Sequence, residues 1–144
     1  GAPQAGRTIE GPSRVTDGDT LRVGAIQVRL KGIAAPELDQ PGGREAAATL
    51  GRMIGAAPVK CRPTGEQTWR REVGWCVLSA GTATFELNRE MARLGWVASC
   101  PRYSRRYVAE EMLARNAGRG LWASDGAGYV LPGYCRAARP ATGG

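Results

Sequence analysis

There is no histidine in this chain of 144 residues. Its absence removes the Ser-His and Cys-His nucleophile arrangements and every zinc site built on imidazole. Hydrolytic chemistry is left to carboxylates, guanidiniums and a hard metal. Lysine is scarce too: Lys31 and Lys60 are the only two, so arginine supplies the rest of the 20 basic residues. No C-x-x-C pair occurs, which argues against a zinc ribbon or a thioredoxin-type motif. Long apolar runs are missing as well. The longest uncharged stretch, Val73 to Phe85, has 13 residues, too few to span a bilayer. Aromatic residues make up 6%, with a single phenylalanine.

What is present is one domain's worth of chain, with 42% hydrophobic and 23% charged residues. That composition supports a core without help from a metal. The net charge of +7 suits a polyanionic partner such as nucleic acid or an anionic membrane, and equally serves solubility. The four cysteines, Cys61, Cys76, Cys100 and Cys135, allow three pairings. An even number at wide spacing favours disulfides and an oxidising compartment over buried free thiols. The chain opens at Gly1 with no apolar leader, and a mature form without its targeting segment is expected.

Residues 1–6 read as a flexible lead-in and 137–144 as a disordered tail, with one domain over 7–136. From Arg7 to Leu30, apolar Val15, Leu21, Val23, Ile26, Val28 and Leu30 are interleaved with polar residues. Turn signals interrupt them at Asp17-Gly18 and Gly24. This predicts a meander of three short strands. A Pro/Gly-rich loop over 31–43 leads into a helix over 44–54, with Ala46/Ala47, Leu50 and Met53/Ile54 on one face. Strands are expected over 59–62 and 73–78, joined by an arm over 63–72, with a tight turn at Ala80-Gly81. Helices are expected over 85–94 and 107–116, the latter with Val108, Ala109, Met112 and Leu113 facing inward. The order predicts an α+β fold: five strands closing as an OB-fold-like β-barrel, with three helices.

Asp17-Gly18-Asp19-Thr20 places two carboxylates on one face of extended chain. Such a pair can begin a calcium site or form a plain turn. Val28-Arg29-Leu30 and Gly32-Ile33-Ala34-Ala35-Pro36-Glu37 follow. Then come a helix, a strand pair bearing arginine, Leu87-Asn88-x-x-Met91, Leu94-Gly95-Trp96 and Ala114-Arg115-x-x-x-x-Gly120-Leu121-Trp122. This series resembles the staphylococcal nuclease (thermonuclease, SNase-like) family from Val15 to Trp122.

The resemblance implies a calcium-dependent nuclease cleaving phosphodiesters in DNA or RNA. It implies Asp19 as a metal ligand, with Asp17 beside it and Ala35 offering its backbone carbonyl. It implies Arg29 and Arg71 on the scissile phosphate and Glu37 on the attacking water. Arg70, next to Arg71, stands where the family usually has glycine; it is the alternative for the second phosphate-binding arginine and is expected to bind nucleic acid. The logic is physical: guanidiniums give phosphate bidentate, charge-assisted bonds, and a carboxylate orders or deprotonates water. One ligand is missing. The family carries a metal-binding aspartate where this chain has Ala34, so Ca2+ is expected to bind weakly or not at all. Asp39 could compensate, or simply be an exposed loop acid.

Cys61 and Cys76 flank the 63–72 arm and would face each other across antiparallel strands, within disulfide reach. Elimination then pairs Cys100 with Cys135. Trp69 and Tyr103 could stack on bases, while Trp75, Trp96 and Trp122 are expected in the core. Three readings follow: a periplasmic or secreted nuclease with a weakened metal site; a catalytically inactive member that binds nucleic acid or another anion; and a structural accessory subunit of a periplasmic assembly, with a protein partner. A monomer is expected by default.

Overall fold

Alternation of apolar and polar residues between Ser13 and Leu30 produces three consecutive antiparallel strands: β2 (Ser13–Asp17), β3 (Thr20–Val23) and β4 (Ile26–Leu30), preceded by a short β1 (Ile9–Gly11). The structure is a computed structural model, which describes residues 7–80, 82–124 and 131–135. The expected lead-in, the tail and Gly81 of the expected turn lie outside them. Leu21, Val23, Val28 and Leu30 turn to the core, while Arg22 between them points to solvent. This is the period-2 pattern of a half-buried sheet.

After β4, a two-residue strand β5 (Ile33–Ala34) leaves the main sheet and pairs with β9 (Ala98–Ser99). Helix α1 (Gly43–Ile54) buries Gly43, Ala46, Leu50 and Ile54; of the expected face, Ala47 and Met53 are only partly buried. A long hairpin follows, β6 (Val59–Thr68) and β7 (Arg71–Ala80), then β8 (Ala83–Glu86), α2 (Leu87–Arg93) and α3 (Val108–Ala117). Two 3-10 turns cover Gly120–Ser124 and Gly133–Cys135. The main sheet runs β1-β6-β7-β4-β3-β2, with β8 also on β7. The β4–β7 pair is parallel and the others are antiparallel.

The α+β class and three α-helices agree with the sequence reading. The strand count and the closure do not. Among the described residues there are nine strands, and no pairing joins the sheet's outer strands β1 and β2 into a closed barrel. The 63–72 arm is a continuation of both hairpin strands, hidden from the sequence because its polar residues project beyond the core. Phe85 lies in the edge strand β8, paired opposite Leu78, and not in α2.

The inward face of α3 is also different. Met112 and Leu113 are 51% and 57% exposed. The helix docks through buried Tyr107 and Ala114 and through two acids, Glu110 and Glu111. Tyr107 donates its hydroxyl to Glu86 at 2.7 Å. The Glu111 carboxylate accepts from the Ser99 N–H at 2.7 Å. The tyrosine's buried area and these hydrogen bonds turn the helix away from the face that its apolar residues predict.

Two disulfides close the structure. Cys61 and Cys76 are directly opposed across β6 and β7, and Cys100 joins Cys135. Trp75 and Trp96 are partly buried against the core. Arg62 and Arg106 also lie over the Trp75 ring, and Trp122 sits beneath Arg115. None of the three is a fully buried core residue.

Candidate functional site

The site begins at the β2–β3 turn. Asp19 donates its backbone N–H to Asp17 Oδ1 at 3.0 Å, an Asx-type turn that holds both carboxylates together. Gly18 is required for the turn to sit where it does: a Cβ there would lie 2.6 Å from the Ala46 methyl and 2.8 Å from that of Ala35. The turn is thus pressed between α1 and the segment after β5.

Asp19 is 6% exposed and fully engaged. Thr20 donates its hydroxyl to Oδ1 at 3.0 Å, the Ala35 N–H donates to Oδ2 at 2.7 Å, and Arg29 Nη2 stands 3.5 Å from Oδ2. Burial and the Asp19 charge push the Asp17 carboxyl up to about 7. Two carboxylates in one desolvated turn repel unless a cation intervenes.

Arg29 projects from β4. Its Nη1 donates to the carbonyls of Leu30 and Ile33 at 2.8 and 2.7 Å. These bonds fix the guanidinium and leave further donors, since the group carries five N–H bonds. Arg71, the first residue of β7, donates Nη1 to the Thr20 hydroxyl at 3.2 Å and Nε to the Thr68 carbonyl at 3.3 Å. Thr20 therefore links the two arginines to one aspartate: Arg71 to Thr20, Thr20 to Asp19, Asp19 to Arg29.

Both arginines line a cleft of about 580 Å³, together with Lys31, Glu37, Trp69, Tyr103 and Tyr134. Glu37 is exposed, in the loop before α1. Its N–H donates to the Gln40 side chain at 2.7 Å, and its carbonyl accepts from the Gln40 N–H at 2.9 Å. Gly43 lies under this loop: a Cβ there would fall 1.8 Å from the Glu37 carbonyl oxygen. Asp39 is exposed and is not among the residues lining the cleft.

Arg71 is thus the cleft arginine of its pair. Arg70 points to a different groove, with Arg22, Ile26 and Gln27. Trp69 borders both cavities and is 89% exposed. Sequence reasoning missed Tyr134 and Lys31. Tyr134 precedes Cys135, and the Cys100–Cys135 bond brings it to 6.5 Å from Tyr103, ring to ring. Lys31 forms an ion pair with Glu66 at the rim. The disulfide was the signal for the first; nothing marked the second except its place after Arg29.

The donor set does not fit a tightly held calcium ion. Ca2+ takes six to eight oxygens, with affinity set by ligand charge. Among the described residues, no three acids, cysteines or histidines gather into a metal-binding group. Ala34 is completely buried beside the Cys100–Cys135 bond.

No protein-family model matches the chain. Two curated proteins are similar to it. Succinoglycan biosynthesis protein ExoI of Rhizobium meliloti (strain 1021) is 28% identical over 130 residues, 82% of this chain and 66% of that protein. The probable staphylococcal-like nuclease CAN2 of Oryza sativa subsp. japonica is 32% identical over 108 residues, 74% of this chain and 28% of that protein. The chain therefore spans just under two thirds of the first relative and about a quarter of the second.

Proposed function

We propose that this is an SNase-like phosphodiesterase acting on single-stranded DNA or RNA. The observation that carries the reading is the convergence of Arg29, from β4, and Arg71, from the β6–β7 hairpin, on one Thr20–Asp19 turn. They do so in a cleft that Glu37 also lines. The similarity to a staphylococcal-like nuclease supports it.

In this reading the two guanidiniums grip the phosphate and stabilise the charge that spreads over its oxygens in the transition state. Both are held in place beforehand by carbonyls and a hydroxyl, so little reorganisation accompanies binding. Glu37 sits at the open side of the cleft, where it orders a water and accepts its proton. Trp69, Tyr103 and Tyr134 offer ring faces to the bases. Asp19, Asp17 and the Ala35 carbonyl are proposed only as weak ligands of a divalent cation. The two disulfides support a periplasmic or secreted setting. No described helix is long and apolar enough to cross a membrane.

The test is binding and cleavage of a labelled oligodeoxynucleotide. Arg29→Ala and Arg71→Ala should each lower kcat/KM by about 10²-fold or more, since each removes a charge-assisted interaction in a preorganised site. Retention of parental kcat/KM in both variants would remove the arginines from the chemistry. A second reading, binding without cleavage, is favoured by the buried Ala34 in place of a carboxylate. Strong, salt-sensitive binding with no hydrolysis in calcium, manganese or magnesium would select it.

A further inference from the structure

Resting on the nucleic-acid reading above, we infer that the bound strand does not end at the Arg29–Arg71 cleft. It continues past the β6–β7 hairpin tip along a backbone track: Arg70, Arg22 and Gln27, which line a second basic groove, and Arg14, which lies opposite Arg22.

The strand register lays out this track. Arg14, Arg22 and Gln27 are directly opposite one another across β2, β3 and β4. Thr20 and Arg29 form the parallel row two residues along, on the same face of the sheet and about 7 Å away at strand rise, with Thr20 buried beneath the arginines. The track is therefore continuous with the phosphate-gripping row. A groove of about 460 Å³, lined by Arg22, Ala25, Ile26, Gln27, Trp69 and Arg70, lies beside it. Trp69 is shared with the cleft, so one exposed ring stands where the two cavities meet.

Two independent observations separate this surface from ordinary solubility charge. First, Arg14 and Arg22 are a like-charged, directly opposed cross-strand pair. Such a pair is unfavourable, and neither residue, nor Arg70, takes part in an ion pair among the described residues. Second, Trp69 and Arg70 occupy both central positions of the two-residue hairpin turn, with φ of 48° and 63°. Turns of this kind favour Asn-Gly, and side-chain-bearing residues held left-handed there signal strain of the sort found at binding sites. A strained tip presenting one bare ring and one unpaired guanidinium, next to an unpaired arginine row, suits a flexible polyanion that also carries flat faces. Single-stranded nucleic acid has both properties.

The experiment is equilibrium binding of fluorescein-labelled oligothymidylates to the full chain. EDTA prevents cleavage, and salt is varied. A dinucleotide, which fills only the cleft, is compared with an oligomer of about eight nucleotides, within the usual span of such sites. The parent should bind the longer probe roughly tenfold more tightly or better. Combined Arg14→Ala and Arg22→Ala should cost roughly tenfold for the longer probe and leave the dinucleotide unaffected. It should also reduce the slope of log affinity on log salt by about 1.4, at about 0.7 for each phosphate that no longer has an arginine partner. Arg70→Gly should weaken the longer probe while raising the melting temperature. A purely structural role for Arg70 cannot move the two readouts that way.

Equal affinity of the parent for both lengths, or a double variant that binds the longer probe like the parent, overturns the track while leaving the cleft reading intact. If neither length binds the parent, the nucleic-acid reading itself fails. A sulfated polysaccharide that binds as tightly as the longer probe, and is weakened as much in the double variant, overturns the assignment to nucleic acid.

Discussion

Gly43 shows how one residue without chemistry of its own can position a candidate catalytic group, Glu37. Its missing Cβ makes room for the Glu37 carbonyl, and Gln40 then clasps Glu37 from both sides. Gly43→Ala should push the loop outward and lower kcat by roughly 10-fold or more, the usual effect of misplacing a reacting group. Affinity for the oligonucleotide should stay near the parental value, because the arginines do not move. An unchanged kcat would show that Glu37 is not positioned by this close approach. Ala34 carries the opposite kind of information. It is buried against the Cys100–Cys135 bond, so Ala34→Asp places a carboxylate in apolar surroundings. The variant should melt several degrees below the parent in EDTA, and millimolar Ca2+ should raise its melting temperature more than the parent's. Equal responses would mean that Ala34 is not what limits the metal site. The motif spacing singled out Asp19, Arg29, Glu37 and Arg71, and the fold places Arg29, Glu37 and Arg71 along one cleft with Asp19 against Arg29. The motif could not reveal the occupancy of Asp19, because the partners that fill it, the Ala35 amide and Thr20 hydroxyl, are set by the fold.

At the scale of elements, Asn88 is the joint. It opens α2, completely buried, and its amide donates to the carbonyls of Lys31 and Gly74 at 3.0 and 3.2 Å, while its Oδ1 accepts from the Cys76 N–H at 3.1 Å. It ties α2 to β7 and to the end of β4, which carries Arg29. Asn88→Leu removes the partner of the Cys76 N–H and of the Lys31 carbonyl, while the Gly74 carbonyl keeps the Lys31 N–H at 3.0 Å; each group left unrelieved costs about 1–3 kcal/mol. A drop of about 3 kcal/mol or more in urea denaturation is expected; a drop under about 1 kcal/mol would mean that water replaces the amide. The period-2 pattern of β2 to β4 and the stripe of α1 were readable because each buries one clean face. The phase of α3 was not, since Met112 and Leu113 outweigh Glu110 and Glu111 in any hydropathy reading. Buried hydrogen bonds and Tyr107 set the helix the other way. The length of the β6–β7 arm was hidden for the same reason: its outer half leaves the core, so pattern gives way to a backbone ladder that composition does not report.

For the whole molecule, Arg29 and Arg71 line one cleft, and Arg22 and Arg70 line the groove beside it, with Trp69 on both. Charge accumulates on one face, from the Arg29–Arg71 cleft across the hairpin tip to Arg14. One disulfide braces the arm that carries Arg71 and the other holds Tyr134 at the rim. The sequence reading anticipated a closed five-stranded barrel. The open sheet with its short edge strands β1 and β8 departs from it because residues at strand ends pair locally, below what alternation can resolve. The central claim is that this face cuts a phosphodiester with Glu37 as its base. The most direct measurement is hydrolysis of a labelled single-stranded oligodeoxynucleotide by the parent and by Glu37→Gln, in millimolar Ca2+, Mn2+ or Mg2+, with binding followed in parallel. The parent should cleave, and Glu37→Gln should fall about 10²-fold or more in rate while binding as before. Cleavage undiminished in Glu37→Gln, or no cleavage by the parent with any of the three cations, would contradict it.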